Sequence, residues 1–314
     1  MFAIIGIVVV FGAIIGGYLM EKGNLMVLVQ PAELLIILGA STGTLLIANP
    51  LPVVIAIGKG LMGILKPSRF TKKFYLEQLK LLNDVFVFAR KNGMARLEAD
   101  VDDPAKSDVF KKYPNFLKDH EALAFFCDTV RMAISAGVGP FELDQLMEVD
   151  LDVQHEEHSV PVDALTSVAD ALPGLGIVAA VLGVCITMGA IGGPPEEIGN
   201  KVAAALVGTF LGILLCYGVV GPLAASMAKG IQAEGKYLQF LRMATLAFIK
   251  GLAPQLSVEF ARRSIPTSIR PSFQETEAMI RGARAEAAAP AAAPPAGAAP
   301  PAEMCIRDRP PSAS

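Results

Sequence analysis

The run ALPGLGIVAAVLGVCITMGAI, residues 171–191, decides the fold. It carries no charged residue and is long enough to cross the hydrocarbon core as a helix, which takes about 20 residues. The turn Gly192-Gly193-Pro194-Pro195 follows, and then a second apolar run, VAAALVGTFLGILLCYGVVGPLAASM, residues 202–227. Two spanning helices joined by a tight turn make a hairpin. Within the first run Pro173, Gly176, Ala180, Gly183 and Thr187 recur at steps of three and four. Ala205, Gly208 and Gly212 do the same in the second, with Thr209 alongside. Stripes of small side chains let helix backbones approach closely in a membrane, so packing alone could account for them. Pro173 and Pro222 each remove a backbone donor, and each is expected to bend its helix. Such a bend can be purely structural, or it can serve as a hinge or free a carbonyl for water or an ion.

Working outward, the N-terminal end holds another hairpin. Residues 2–20 are apolar and uncharged. A secretory signal peptide would need a basic stretch before this run, and there is none, so a retained span is expected. Glu21-Lys22-Gly23-Asn24 breaks the run, and a second span is expected over 34–48. Asn49-Pro50-Leu51-Pro52 ends it. Residues 53–65 are apolar but contain three glycines and Lys59, and read as a segment lying along the membrane interface.

Between the hairpins lies a long polar region. Tyr75, Leu79, Leu82, Phe86 and Ala89 mark one helix face, stopped at Asn92-Gly93. Leu123, Phe126, Cys127, Val130 and Ile134 mark another, stopped by Gly137-Val138-Gly139-Pro140. Tyr237, Leu241, Ala244 and Phe248 mark a third beyond the last span. The acidic run Glu142, Asp144, Glu148, Asp150, Asp152, Glu156 and Glu157, near His155 and His158, lacks a defined ligand loop. It reads as a solvated helix face rather than a metal site. The resulting plan is an all-α integral membrane protein with four transmembrane helices in two hairpins and a helical domain between them. The expected units are 1–66, 67–168, 169–228, 229–284 and an Ala/Pro-rich disordered tail, 285–314.

Composition agrees with this plan. Hydrophobic residues make up 53% of the chain and charged residues 18%, a balance too apolar for an ordinary soluble domain. The net charge of -3 argues against nucleic-acid binding. The four cysteines lack metal-ligand spacing. No nucleophile motif or phosphate loop points to an enzyme, and no cofactor is implied. Lys59, Lys66, Arg69, Lys72 and Lys73 follow the second span, and Lys229 and Lys236 follow the fourth. By the positive-inside rule both long polar regions and both termini belong in the cytoplasm. Glu33 and Asp170 stand only at the edges of the expected spans. Ion carriers usually need an ionisable group at depth, so an ion-driven role would require a partner to supply one.

These features together resemble a known family, the flagellar motor stator A subunits (MotA). The resemblance rests on residues 171–183, on Val207-Gly208-Thr209-Phe210-Leu211-Gly212-Ile213-Leu214-Leu215, and on Tyr217-Gly218 and Pro222-Leu223. Val258-Glu259-Phe260-Ala261-Arg262-Arg263 and Arg270-Pro271-Ser272-Phe273 extend it, and it covers residues 1 to about 282. It implies an inner-membrane proton channel that turns ion flow into torque for motility. A ring of A subunits, set in membrane lipid, would surround a MotB-type partner whose single span carries the ion-binding aspartate. The rotor protein FliG would be driven. Pro173, Ala180, Thr209, Tyr217 and Pro222 match positions beside the ion path, and Arg90 and Glu98 match the rotor-facing charges. Taken alone, Arg90 is a cation favourable to a helix C-terminus and Glu98 a solvated side chain. Sodium-driven members carry a hydroxyl where this chain has Ala180, so the coupling ion is expected to be the proton. An energiser of the ExbB/TolQ type resembles the last two spans but has three spans in all, and the hairpin within 2–48 weighs against it. A structural scaffold needs neither the prolines nor a charged face.

Overall fold

The computed structural model describes residues 2–189 and 192–288. Every regular element among them is helical. Helix α1 (Phe2–Met20) and helix α3 (Pro31–Ala48) form the first hairpin, joined through the single turn α2 (Leu25–Leu28). The Asn24 side chain caps α2 by accepting from the Met26 N–H, and Pro31 starts α3 where a missing N–H costs nothing. Helix α4 (Leu51–Ile64) begins at the prolines that end α3. Its Ile57 packs with Val162, Leu165, Ala224 and Met227, so the segment expected along the interface is a helix held against the second hairpin.

The polar domain follows. Helix α5 (Lys72–Asn92) is capped by the Thr71 hydroxyl, which accepts from the Phe74 N–H. It stops at Gly93, whose φ of 87° is open to glycine and strained for other residues. Helix α6 (Met94–Asp102), the turn α7 (Pro114–Leu117) and helix α8 (His120–Ser135) complete this part. All five residues of the α5 face, Tyr75, Leu79, Leu82, Phe86 and Ala89, are buried. They meet Tyr237, Phe240, Leu241, Ala244 and Phe248, and the rings of Phe86 and Phe248 stack at 4.3 Å. Each leucine or phenylalanine among them removed from water contributes about 1.5–3 kcal/mol. That is why a domain split across the chain closes into one core.

The second hairpin is longer than its apolar runs. Helix α9 (Pro140–Met188) carries the acidic stretch and the third span in one unbroken rod of 49 residues. Pro161 and Pro173 lie inside it. Helix α10 (Pro195–Leu214) begins at Pro195, seven residues before the expected start at 202, because Pro195 and two acidic residues suit a helix N-terminus. It continues through a π-helical turn, residues 215–220, into α11 (Gly221–Ile249). Helices α12 (Pro254–Ser264) and α13 (Phe273–Ala288) close the polar domain. Four helical stretches are long and apolar enough to span a membrane. The first lies outermost: Ile5, Val8 and Val9 are all more than half exposed. The expected disordered tail begins within α13, and its residues 289–314 lie outside the described residues.

Candidate functional site

The seam between α9 and α10 is built on glycine. A methyl group placed on Gly176 would come within 2.9 Å of the Gly208 carbonyl oxygen and 3.0 Å of the Gly212 Cα. One placed on Gly212 would come within 2.6 Å of the Leu172 carbonyl oxygen. No side chain fits there, so the two backbones touch. This contact sets the level of the other residues. Pro173, next to Leu172, lies level with Gly212. Ala180, whose amide nitrogen lies 3.3 Å from a methyl on Gly208, is level with Thr209. Pro173, Ala180 and Thr209 are half-buried, while Tyr217 and Pro222 are exposed on this chain.

Tyr217 sits inside the π turn, and Pro222 comes two residues after its end, behind Gly221. The Gly221 N–H donates to the Cys216 carbonyl five residues back. Pro222 has no N–H for the Gly218 carbonyl. The expected kink therefore takes the form of a π turn, a feature frequent at functional sites. Pro173, in contrast, sits inside a helix that runs on past it.

Arg90 and Glu98 flank the Gly93 elbow between α5 and α6. The Arg90 guanidinium donates to the carbonyl oxygens of Gly251 at 2.8 Å and Leu252 at 3.2 Å, just past the end of α11. Glu98 accepts from the Ser135 hydroxyl at 2.5 Å. Neither forms an ion pair among the described residues; Arg90 is exposed and Glu98 half-buried.

The acidic face of α9 is partly engaged. Arg242 bridges Asp144 at 2.6 Å and Glu148 at 3.3 Å. Glu121, His158 and Glu234 converge from α8, α9 and α11, a grouping that sequence spacing did not reveal. Arg69 holds Glu234 at 2.5 Å and Asp119 at 2.8 Å. Burial pushes the Glu234 carboxyl up and Arg69 draws it back down. A guanidinium already on Glu234 makes this an ion-pair network tying residue 69 to the bundle, and not a cation site.

Glu33 stands in the first turn of α3, at the helix edge as expected, and the structure adds where its side chain goes. Glu33 is 7% exposed, and its Oε2 is buried without a hydrogen-bond partner among the described residues. It lies within 2.7 Å of a methyl placed on Gly208 and, through Oε1, 3.5 Å from one placed on Gly183. Apolar run length put Glu33 at a helix edge. The first turn of α3 aims it inward, into space that Gly208 leaves open beside Gly183.

Most of the chain matches known proteins. A model of the motility protein A N-terminal region matches residues 4–93, and one of the MotA/TolQ/ExbB proton channel family matches residues 118–239. Motility protein A of Escherichia coli is 39% identical over 90% of this chain and 96% of its own length. The chain belongs to the motility protein A family. The chemotaxis protein LafT of Vibrio parahaemolyticus is 34% identical over 87% of this chain and 96% of its own. Two solved structures share the fold. That of C. jejuni MotAB has a TM-score of 0.71 at 18% identity, covering 86% of this chain and 98% of that one. That of the flagellar MotAB stator complex from Bacillus subtilis has 0.67 at 23% identity, covering 85% and 96%. As a motility protein A, the chain is a flagellar stator subunit of the proton-channel class, seated in the inner membrane, and not an enzyme. The N-terminal match over 4–93 sets aside the ExbB/TolQ reading.

Proposed function

We propose that this chain forms, with a single-span partner of the MotB type, a proton-conducting stator whose A subunits ring the partner and push on the rotor protein FliG. The observation that carries this reading is the glycine-built α9/α10 seam with Pro173, Ala180, Thr209, Tyr217 and Pro222 arranged along it. The partner's aspartate is the carboxylate that binds the ion at the centre. Exposed Tyr217 and Pro222 supply a surface that neighbouring chains can cover. Protonation changes what a buried carboxylate asks of its surroundings, and the π turn before Pro222 is where α10 and α11 can respond.

The proton fits better than sodium. Sodium prefers several oxygen ligands, and Ala180 offers none, which leaves the Thr209 hydroxyl and whatever carbonyls Pro173 frees. Both termini and the polar domain face the cytoplasm, because the cations lie beside the polar ends of the spans. Arg90 and Glu98 then face the rotor.

The test is complementation. A host lacking its own stators, given this chain and its cognate partner, should swim, and should keep swimming when potassium replaces sodium at fixed pH and membrane potential. Swimming that needs sodium would refute the proton assignment, and no swimming at all would refute the stator reading. Purification with the partner followed by mass determination should give one complex containing several A chains.

A further inference from the structure

Glu33 is a carboxyl group that the partner-centred mechanism leaves without a role. A carboxylate in the first turn of a helix is ordinarily explained by the helix dipole and faces solvent. Glu33 instead turns inward against Gly183 and Gly208, and Ala205 and Ala179 pack beside those two glycines. None of these offers a side-chain donor. Gly183 and Gly208 belong to the small-residue stripes, and Gly208 serves more than helix contact: the carboxyl group fills the volume of its missing side chain, with Gly183 in ordinary contact alongside. An unpaired charge in such surroundings is costly, and intramembrane carboxyl groups persist mainly where they bind something.

Position narrows what is bound. Gly183 lies five residues before Met188, the last residue of α9, which is about 7.5 Å at the ordinary helical rise. Thr187 is one turn beyond Gly183 on the same helix face; it is buried, and its hydroxyl donates to the Gly183 carbonyl at 2.8 Å. On the inner side stand the Ala180 amide and Thr209, the neighbour of Gly208. Glu33 thus sits between the α9–α10 turn and the residues assigned to the ion route. A cation with several oxygen ligands finds too few here. A proton needs one carboxylate and a path through water.

We propose that Glu33 is a proton-binding site on this chain, taking protons from the periplasmic side and passing them toward the partner's carboxylate. This rests on the stator reading for its direction, but proton binding by Glu33 can be measured without it. A hydronium in the periplasmic water loses one O–H bond as the Glu33 carboxylate gains one, and that Glu33 O–H bond then breaks as the next acceptor inward, a water or the partner's carboxylate, gains one.

The test has two arms, using the full chain purified or expressed with its partner. In the first, pH-difference infrared spectra should show a protonated-carboxyl band that disappears in Glu33→Gln and moves in Glu33→Asp. A parent spectrum identical to that of Glu33→Gln at every pH overturns the proposal, whether or not the stator reading stands. In the second, Glu33→Gln should assemble normally with the partner yet lose proton flux and the dependence of swimming on periplasmic pH, with Glu33→Asp restoring part of both. Unchanged swimming and pH dependence in Glu33→Gln overturns it. Failure of Glu33→Gln to assemble with the partner also overturns it, because the residue is then a packing element. A parent that does not drive swimming refutes the stator reading, and the infrared arm still decides Glu33.

Discussion

Arg90 shows how one side chain can serve two ends. Its guanidinium holds the carbonyls of Gly251 and Leu252, and its charge has no ionic partner among the described residues. Replacing it with lysine keeps the charge but not the planar fork. Arg90→Lys should therefore cost about 1 kcal/mol of stability, seen as a lowered Tm in detergent, while most swimming survives. Arg90→Glu and Glu98→Lys should each abolish or strongly reduce swimming at normal expression and membrane insertion, since charges at an interface select partners more than they hold a fold together. Normal swimming in the double reversal with an unaltered rotor would reduce both to ordinary surface charges.

At the scale of elements, the α9/α10 seam and the π turn do different work. The seam depends on absent side chains. Gly212→Val would drive its side chain into the Leu172 carbonyl, where even a methyl comes within 2.6 Å. Overpacking of this kind costs typically about 1–3 kcal/mol, and here the helices must part to accommodate it. The expected outcome is loss of the partner complex on purification together with loss of swimming; retention of the complex would show that the contact is dispensable. The π turn depends on an absent donor. Pro222→Ala returns an N–H to the Gly218 carbonyl and lets residues 215–220 regularise to α-helix. Assembly should be intact and torque reduced, measured as slower rotation of tethered cells under constant load. A variant rotating at the parent rate would make the turn a passive feature.

For the whole molecule, the testable property is orientation. With cysteines introduced singly into a cysteine-free background, an impermeant reagent added outside the inner membrane should label positions 22 and 197 and leave position 72 untouched. Labelling at 72 would invert the arrangement. Position 197 has a further use: Glu197 pairs with Lys201 at 2.8 Å at the exposed start of α10, so labelling there reports on the mouth near which Glu33 lies.

What was legible in the sequence is what depends on runs and periods. Apolar length marks the four spans, because hydrocarbon of fixed thickness demands a fixed number of helical residues. Steps of three and four along α5, α8 and α11 mark the buried faces, because one side of a helix meets the core. Resemblance supplied the family and the residues assigned to the ion route and the rotor. Tertiary structure alone decided the rest. Helix α9 runs through the border between polar and apolar sequence because hydrogen bonds propagate along a backbone without regard to hydropathy. Arg90 reaches residues 251 and 252 only because α11 returns to α5. Glu33 is an edge residue by position, yet Gly208, far along the chain, opens the space that buries it beside Gly183. No period or run relates position 33 to those two, since burial of a single side chain is set by what packs against it.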